Sequence, residues 1–237
     1  MDGPEPTPPQ AAEPRRTYAT EGYLLWRDLL DAREVAAARG VAETIRRLGR
    51  IVIFPDSTGK GSQLAFGVRA SQARDLHELV SSPPLAGTAG GLLGADVVHL
   101  DSRLSLKVPT SGAWEWHQEY RYWQSRGLPE PDTVSAMVYL DAATRLNGCL
   151  QVIPRSHVGG LRPHVSRAGQ DCVPQDVVTA ALEESPQVFA EAEAGSVLFF
   201  HGNLLHASAA NESDSPRLAI LITYAAASNG MLGEPLL

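Results

Sequence analysis

The sequence predicts a mainly β fold with flanking helices, of the β-sandwich or jelly-roll kind. Short runs rich in β-branched and aromatic residues recur through the second half, at residues 97–108, 134–140, 149–153, 188–190, 197–200 and 218–224. Gly, Pro and Asn turns join them, Asn147-Gly148 among these, and no helical pattern is interleaved as a parallel sheet of βαβ units would require. A long helical pattern does occur, but earlier, at residues 32–48.

Taken in order, residues 1–16 hold five of the seventeen prolines and almost no bulky apolar side chain, the composition of a disordered tail. The rest, 17–237, shows no boundary or repeat and reads as one domain. Residues 21–26 form a short strand. Asp31 can cap the helix over 32–48, with Gly49 as its stop signal. Residues 51–54 are a brief apolar run ended by Pro55. Residues 57–62 are a Gly-rich loop with Lys60, which lacks the earlier glycine of a phosphate-binding loop. A helix is expected over 71–80, carrying His77. Ser81-Ser82-Pro83-Pro84 breaks it, and the glycines from Gly87 to Gly94 predict a flexible connection. Residues 154–187 have weak pattern and read as a loop with one short helix, an excursion of the kind that covers sites.

Composition excludes several classes. Hydrophobic residues make up 43% and charged residues 20%, as in soluble globular proteins. The net charge of −7 speaks against nucleic acid or an anionic membrane as the main partner. Eighteen of the twenty basic residues are Arg, the exceptions being Lys60 and Lys107. Cys149 and Cys172 are too few for a Cys-based zinc site and suit a reducing cytoplasm. The first thirty residues lack the pattern of a signal peptide, and no apolar run approaches the roughly 18 residues of a membrane span. Asn211-Glu212-Ser213 reads as a turn.

The stretch from Trp114 to Trp123 concentrates candidate chemistry. In an extended strand, His117 and Glu119 share a face about 6.5–7 Å apart, so one metal ion could bridge them. His99 and Asp101 repeat that spacing, so the pair alone is not diagnostic. A third ligand is needed, and His157, His164, His201 and His206 remain open.

Several segments together resemble one family. Glu21-Gly22-Tyr23-Leu24-Leu25, Tyr139-Leu140-Asp141-Ala142-Ala143, Asn147-Gly148-Cys149-Leu150, Val152-Ile153-Pro154-Arg155-Ser156-His157, Gly195-Ser196-Val197-Leu198-Phe199-Phe200 and His206-Ala207-Ser208 occur in the order seen in the phytanoyl-CoA dioxygenase family of Fe(II)- and 2-oxoglutarate-dependent oxygenases. Around the metal, Arg103-Leu104-Ser105-Leu106-Lys107, Trp116-His117, Tyr120, Trp123 and Gly127-Leu128-Pro129 are similar to ectoine hydroxylase. The resemblance implies a double-stranded β-helix (jelly roll, cupin-like) holding Fe(II) with His, a carboxylate and a second His. It also implies an Arg about ten or eleven residues past the second His for the far carboxylate of 2-oxoglutarate. Arg217 lies eleven residues after His206, whereas Asn211 and Glu212 occupy the matching positions from His201.

On this basis the expected metal ligands are His117, Glu119 and His206, which are also the catalytic centre. Arg217, Ser208 and Lys107 are expected to bind 2-oxoglutarate. Trp123, Arg121 and Tyr120 are expected at the substrate, with Arg121 and Arg126 able to meet a substrate carboxylate. Two His and a carboxylate leave three iron positions open for a keto acid and O2. The family usually has Asp where this chain has Glu119, a reach about 1.3–1.5 Å longer by one methylene; the same side chain leaves no room for a halogenase's chloride. The expected activity is hydroxylation of an unactivated carbon of a small molecule, an amino acid derivative or specialised-metabolite intermediate, coupled to decarboxylation of 2-oxoglutarate to succinate and CO2. The protein is expected to be a cytoplasmic monomer or homodimer without nucleic-acid or membrane partners. Two rivals are a jelly-roll binding or sensing protein with a vestigial metal site, and a cupin-like metalloenzyme without cosubstrate.

Overall fold

The computed structural model describes residues 12–229 and the backbone of 234–235. In order the elements are α1 (Ala12–Glu21), β1 (Tyr23–Trp26), α2 (Ala32–Leu48), β2 (Arg50–Pro55), β3 (Gly61–Val68), α3 (Arg74–Val80), α4 (Thr88–Leu93), β4 (Val97–Lys107), β5 (Trp114–His117), α5 (Tyr120–Gln124), β6 (Thr133–Tyr139), β7 (Leu150–Val152), β8 (Val165–Arg167), β9 (Gln170–Cys172), α6 (Gln175–Glu184), β10 (Val188–Phe189), β11 (Val197–His201), β12 (His206–Ser208), β13 (Arg217–Ala226) and β14 (Glu234–Pro235). The major sheet runs β1-β11-β6-β13-β4-β3-β2, with β14 also on β4; a minor sheet runs β10-β7-β12-β5. Pairing is antiparallel within both sheets. This is the jelly-roll arrangement expected.

The two faces of β6 show how the layers stack. Val134, Ala136 and Val138 join Phe199, Ile220 and Ile222 in a core against α2, α3 and α4. The alternate residues Met137 and Tyr139 join Leu198, Phe200, Leu150 and Val152 in a second core between the sheets. A strand buried on both faces projects apolar residues both ways, so it reads as a continuous apolar run. The minor sheet then faces the inner side of the major one, and the cavity lies between them.

The helix at 32–48 forms as expected. Asp31 accepts from the Arg33 and Glu34 backbone while the Glu34 side chain accepts from the Asp31 N–H, a reciprocal capping box. Gly49 ends it through close packing rather than left-handed backbone: its φ is −76°, and a Cβ there would sit 2.7 Å from the Ile45 carbonyl. Gly148 does need its freedom, with φ +78° in the turn after Asn147.

Three expectations change, and a fourth, the Gly-rich loop, gains its place in the fold. Of the tail over 1–16, residues 1–11 lie outside the described residues, and 12–16 open helix α1. The Gly87–Gly94 connection is mostly helix α4, because Ala89 and Leu92 bury against the core before Gly94 ends it at φ +69°. The Gly-rich loop is the turn of the β2–β3 hairpin, where the Asp56 carboxylate accepts from the Thr58 and Lys60 backbone. The 154–187 excursion holds the β8–β9 hairpin as well as α6. Among the described residues no helix is long and apolar enough to cross a membrane.

Candidate metal and cosubstrate site

Strands β5 and β12 are antiparallel neighbours, with His117 directly opposite His206. Opposed residues project from the same face, and the two imidazole centroids lie 4.0 Å apart. Glu119 arrives differently from the strand-alternation argument. Strand β5 ends at His117, and Glu119 has helical backbone (φ −61°, ψ −35°) at the start of α5. The turn, not the pleat, brings its carboxylate back. One ligand atom from each of His117, Glu119 and His206 lies within 4.8 Å of the others, all three residues are buried, and among the described residues no other such group occurs.

Both histidines are held in a tautomer that could bind a metal. Nδ1 of His117 is 2.8 Å from the Glu115 carbonyl, and Nδ1 of His206 is 2.9 Å from the Leu204 carbonyl. A carbonyl only accepts, so each Nδ1 carries the proton and each Nε2 keeps a lone pair for a metal. Burial, then the neighbouring His206, holds His117 well below the usual histidine range. Burial also lowers His206, against the opposing pull of Glu119. Two neutral imidazoles and a carboxylate fit Fe(II) with open coordination positions.

Behind the carboxylate sits Arg103. Its Nη1 contacts Glu119 Oε1, and its Nε donates to Asp101 Oδ2 at 3.2 Å. Burial alone would lower the Arg103 pKa; Glu119 and Asp101 together outweigh it and raise it, so the guanidinium is charged.

The opposite end of the cavity holds a cation with unfilled donors. Arg217 opens β13 directly across from Lys107 of β4. Its Nη2 donates to Ser105 Oγ at 3.1 Å, while Nε and Nη1, both buried, have no partner among the described residues. Lys107 donates to the Gly112 and Ala209 carbonyls, both at 2.6 Å. Burial, then Arg217, pulls the Lys107 pKa down to about 7, against Asp56. Two buried cations directly opposed with donors to spare are unfavourable alone, and a carboxylate of 2-oxoglutarate would satisfy both.

His117, Glu119, His206, Lys107, Ser208 and Arg217 all line one cavity of about 400 Å³. Tyr120, Arg121 and Trp123 do not line it. Helix α5 rotates them away: Tyr120 is buried with its hydroxyl donating to Pro129, Trp123 packs with Leu100 and Leu128, and Arg121 faces Asp171 at 3.7 Å. The cavity instead takes Tyr122 and Arg126 from this segment, Trp114 from β5, and Arg50, Phe54 and Phe66 from the β2–β3 hairpin. Nothing in the sequence of that hairpin signals this role, because only its long-range pairing with β4 carries it to the cavity.

Four other histidines hydrogen-bond within the fold and lie outside this cluster. His99 is buried against Ser102 and the Ala70 N–H, His157 meets the Ala19 carbonyl, and His201 accepts from the Asn203 N–H. His164 accepts from the Gln118 N–H, and Gln118 holds the Gly160 and Asn203 carbonyls and the Arg162 N–H. The root of the 154–187 excursion is thus tied to the ligand segment. Gly169, Gln170 and Asp171 of its hairpin reach the cavity.

The chain is similar to several known proteins. A family model described as phytanoyl-CoA dioxygenase matches residues 18–219. L-proline trans-4-hydroxylase of Streptomyces griseoviridis is 32% identical over 233 residues, covering 90% of this chain and 85% of that protein. Ectoine dioxygenase of Bordetella parapertussis is 30% identical over 241 residues, covering 92% and 76%. The crystal structure of EctD from S. alaskensis with 2-oxoglutarate and 5-hydroxyectoine superposes at TM-score 0.74 and 25% identity, covering 97% of this chain and 79% of that one.

Proposed function

The chain belongs to the phytanoyl-CoA dioxygenase family, and from that membership we propose that it is an Fe(II)- and 2-oxoglutarate-dependent dioxygenase hydroxylating an unactivated carbon of a small molecule. The observation that carries this reading is the pairing, in one cavity, of a His–Glu–His ligand cluster with the unfilled buried donors of Arg217. His117, Glu119 and His206 would hold the iron. The iron, when bound, supplies O2 activation coupled to decarboxylation of 2-oxoglutarate to succinate and CO2.

The chain's own residues position and shield. Glu115 and Leu204 carbonyls fix the ring orientation of the two histidines. Arg103 fixes the Glu119 carboxylate. Arg217 presents a planar fork to the distal carboxylate of 2-oxoglutarate, with Lys107 and Ser208 beside it. Phe200, Leu150, Met137 and Leu221 give this end of the cavity apolar walls, which strengthens each charged contact by excluding water. The substrate is an amino acid derivative or a specialised-metabolite intermediate, in line with a chain 32% identical to a proline hydroxylase. Residues 17–237 act as one oxygenase domain, a cytoplasmic monomer or homodimer with neither nucleic acid nor membrane as partner; the net charge of −7 and two free buried cysteines support this.

Succinate release from 2-oxoglutarate with Fe(II) tests the reading. The intact protein should produce it, and Arg217→Ala should raise the KM for 2-oxoglutarate on the order of a hundredfold, because it removes a buried charged partner. An intact protein that never consumes 2-oxoglutarate would favour a binding or sensing role. Succinate release indifferent to Arg217→Ala would place the cosubstrate anchor elsewhere, and substrate turnover without 2-oxoglutarate would favour a metalloenzyme without cosubstrate.

A further inference from the structure

Building on the oxygenase reading, we propose that the cavity's outer end receives an organic acid with an apolar, ring-bearing body, holds its anionic group at Arg50 and Arg126, and presents a carbon remote from that group to the metal. The first observation is charge. In a chain of net charge −7, the cavity lining carries Arg50, Arg103, Lys107, Arg126 and Arg217 against only Glu119 and Asp171. Arg103 is taken up by Glu119 and Asp101, and Asp171 faces Arg121 outside the cavity. Lys107 and Arg217 belong to the cosubstrate end. Arg50 and Arg126 are left with no carboxylate at ion-pair distance among the described residues, although Arg126 is near enough to Asp101 to oppose, with Arg103, the rise that burial gives the Asp101 pKa.

The second observation is that both guanidinium groups are stacked. Arg50 stands 4.7 Å from the centroid of Phe66, and Arg126 stands 4.9 Å from that of Trp123. Stacking restricts an otherwise flexible side chain while leaving its N–H edge free for a carboxylate or phosphate.

The third is a run of rings leading inward from Arg50. Phe66 meets Phe54 at 6.3 Å, Phe54 meets Trp114 edge-on at 5.0 Å, and Trp114 meets His117 at 5.9 Å. Tyr122 closes the other side, 6.0 Å from His117. This aromatic wall, running between the charged groups, selects a flat or cyclic apolar body. An acid anchored at the rim lays that body along the rings, so the C–H nearest the ligands lies far from the anion. That C–H becomes C–OH, with one oxygen atom of O2 entering the product and the other entering succinate.

Matched probes test this. Hydrocinnamate, indolepropionate and cyclohexylpropionate, each beside its primary amide, are titrated against the protein holding Fe(II) and 2-oxoglutarate without oxygen, and the shift in melting midpoint is followed. The acids should stabilise at about tenfold lower concentration than their amides. Arg50→Gln and Arg126→Gln should each cut that preference about three- to tenfold, whereas Arg74→Gln on the distant α3 should keep it. Amides binding as well as acids, no stabilisation by any acid, or a preference that survives both rim substitutions would each overturn the proposal. A protein not stabilised by 2-oxoglutarate itself fails the oxygenase reading instead; one stabilised by 2-oxoglutarate but indifferent to the acids fails only here.

Discussion

The two flanks of His117 are built on different principles. On one side, β5 and β12 fix His117 against His206 by strand register, and a one-residue slip would turn a ligand to the other face. On the other side the chain enters α5, where contacts follow the helical spacing of three to four residues. Tyr122 of the helix and Arg126 of the turn that follows line the cavity, while Tyr120 and Trp123, three apart on the helix, point into a separate core. Strand alternation therefore accounts for His117 and His206, but not for Glu119 or for which α5 residues reach the cavity.

Breaking the strand side should have the largest effect. His206→Ala removes an Nε2 donor that nothing else in the described residues replaces. Fe(II) affinity should fall by more than the ten- to hundredfold typical of losing an outer partner, and turnover should stop. Anaerobic metal titration measures this, and retention of tight Fe(II) binding would remove His206 from the site.

The helix side should respond in stability rather than in metal binding. Trp123 is 2% exposed, between Leu100 and Leu128. Trp123→Ala should cost about 3–5 kcal/mol of folding stability, as other large-to-small core changes do. Tyr122→Ala, at a cavity wall, should cost less stability and weaken substrate binding more. Denaturant melts of the two variants compare the faces directly; equal losses would mean that the helix does not separate them.

These contrasts show what the sequence made legible. Strand-rich segments, turn residues and the capped helix at 32–48 are local signals, and the structure carries them with small shifts in their ends. His206 and Arg217 stood out through an eleven-residue interval that a resemblance made meaningful. A strand argument points to Glu119, whereas the structure delivers it through a turn at a strand end, a feature with no periodic signature. Arg50, Phe54 and Phe66 were illegible for another reason. Their place depends on β3 pairing with β4 some forty residues onward, and nothing in a hairpin's own composition encodes its distant neighbour.

Arg103 sharpens the comparison because it joins the two flanks, contacting Glu119 while stacked 5.5 Å from Trp123. Compared with Asp, Glu119 has an extra rotatable bond to restrain, and Arg103 is the group placed to restrain it. Arg103→Gln should lower Fe(II) affinity about ten- to hundredfold, with Arg103→Lys intermediate because a point charge replaces a planar fork. Glu119→Asp in the Arg103→Gln background should lose less, the shorter side chain having less freedom. If Arg103→Gln leaves metal affinity intact, the guanidinium serves only the fold.

The smallest expected effect is on pH, and it isolates the cosubstrate end. Burial, then Arg217, lowers Lys107 to about 7, so the ammonium is mostly protonated below that pH and mostly neutral above it. A dicarboxylate binds the charged form better, so 2-oxoglutarate affinity should weaken, by about three- to tenfold, as pH rises through 7 and beyond. Binding in turn raises the Lys107 pKa, so the bound state takes up a fraction of a proton near neutrality. Lys107→Met should flatten the profile, while Arg217→Ala should lower affinity at every pH. Equilibrium titration of 2-oxoglutarate across neutral pH, with metal saturating, separates the two cations. A profile unchanged by Lys107→Met would leave Arg217 as the sole anchor and reduce Lys107 to its carbonyl contacts at Gly112 and Ala209.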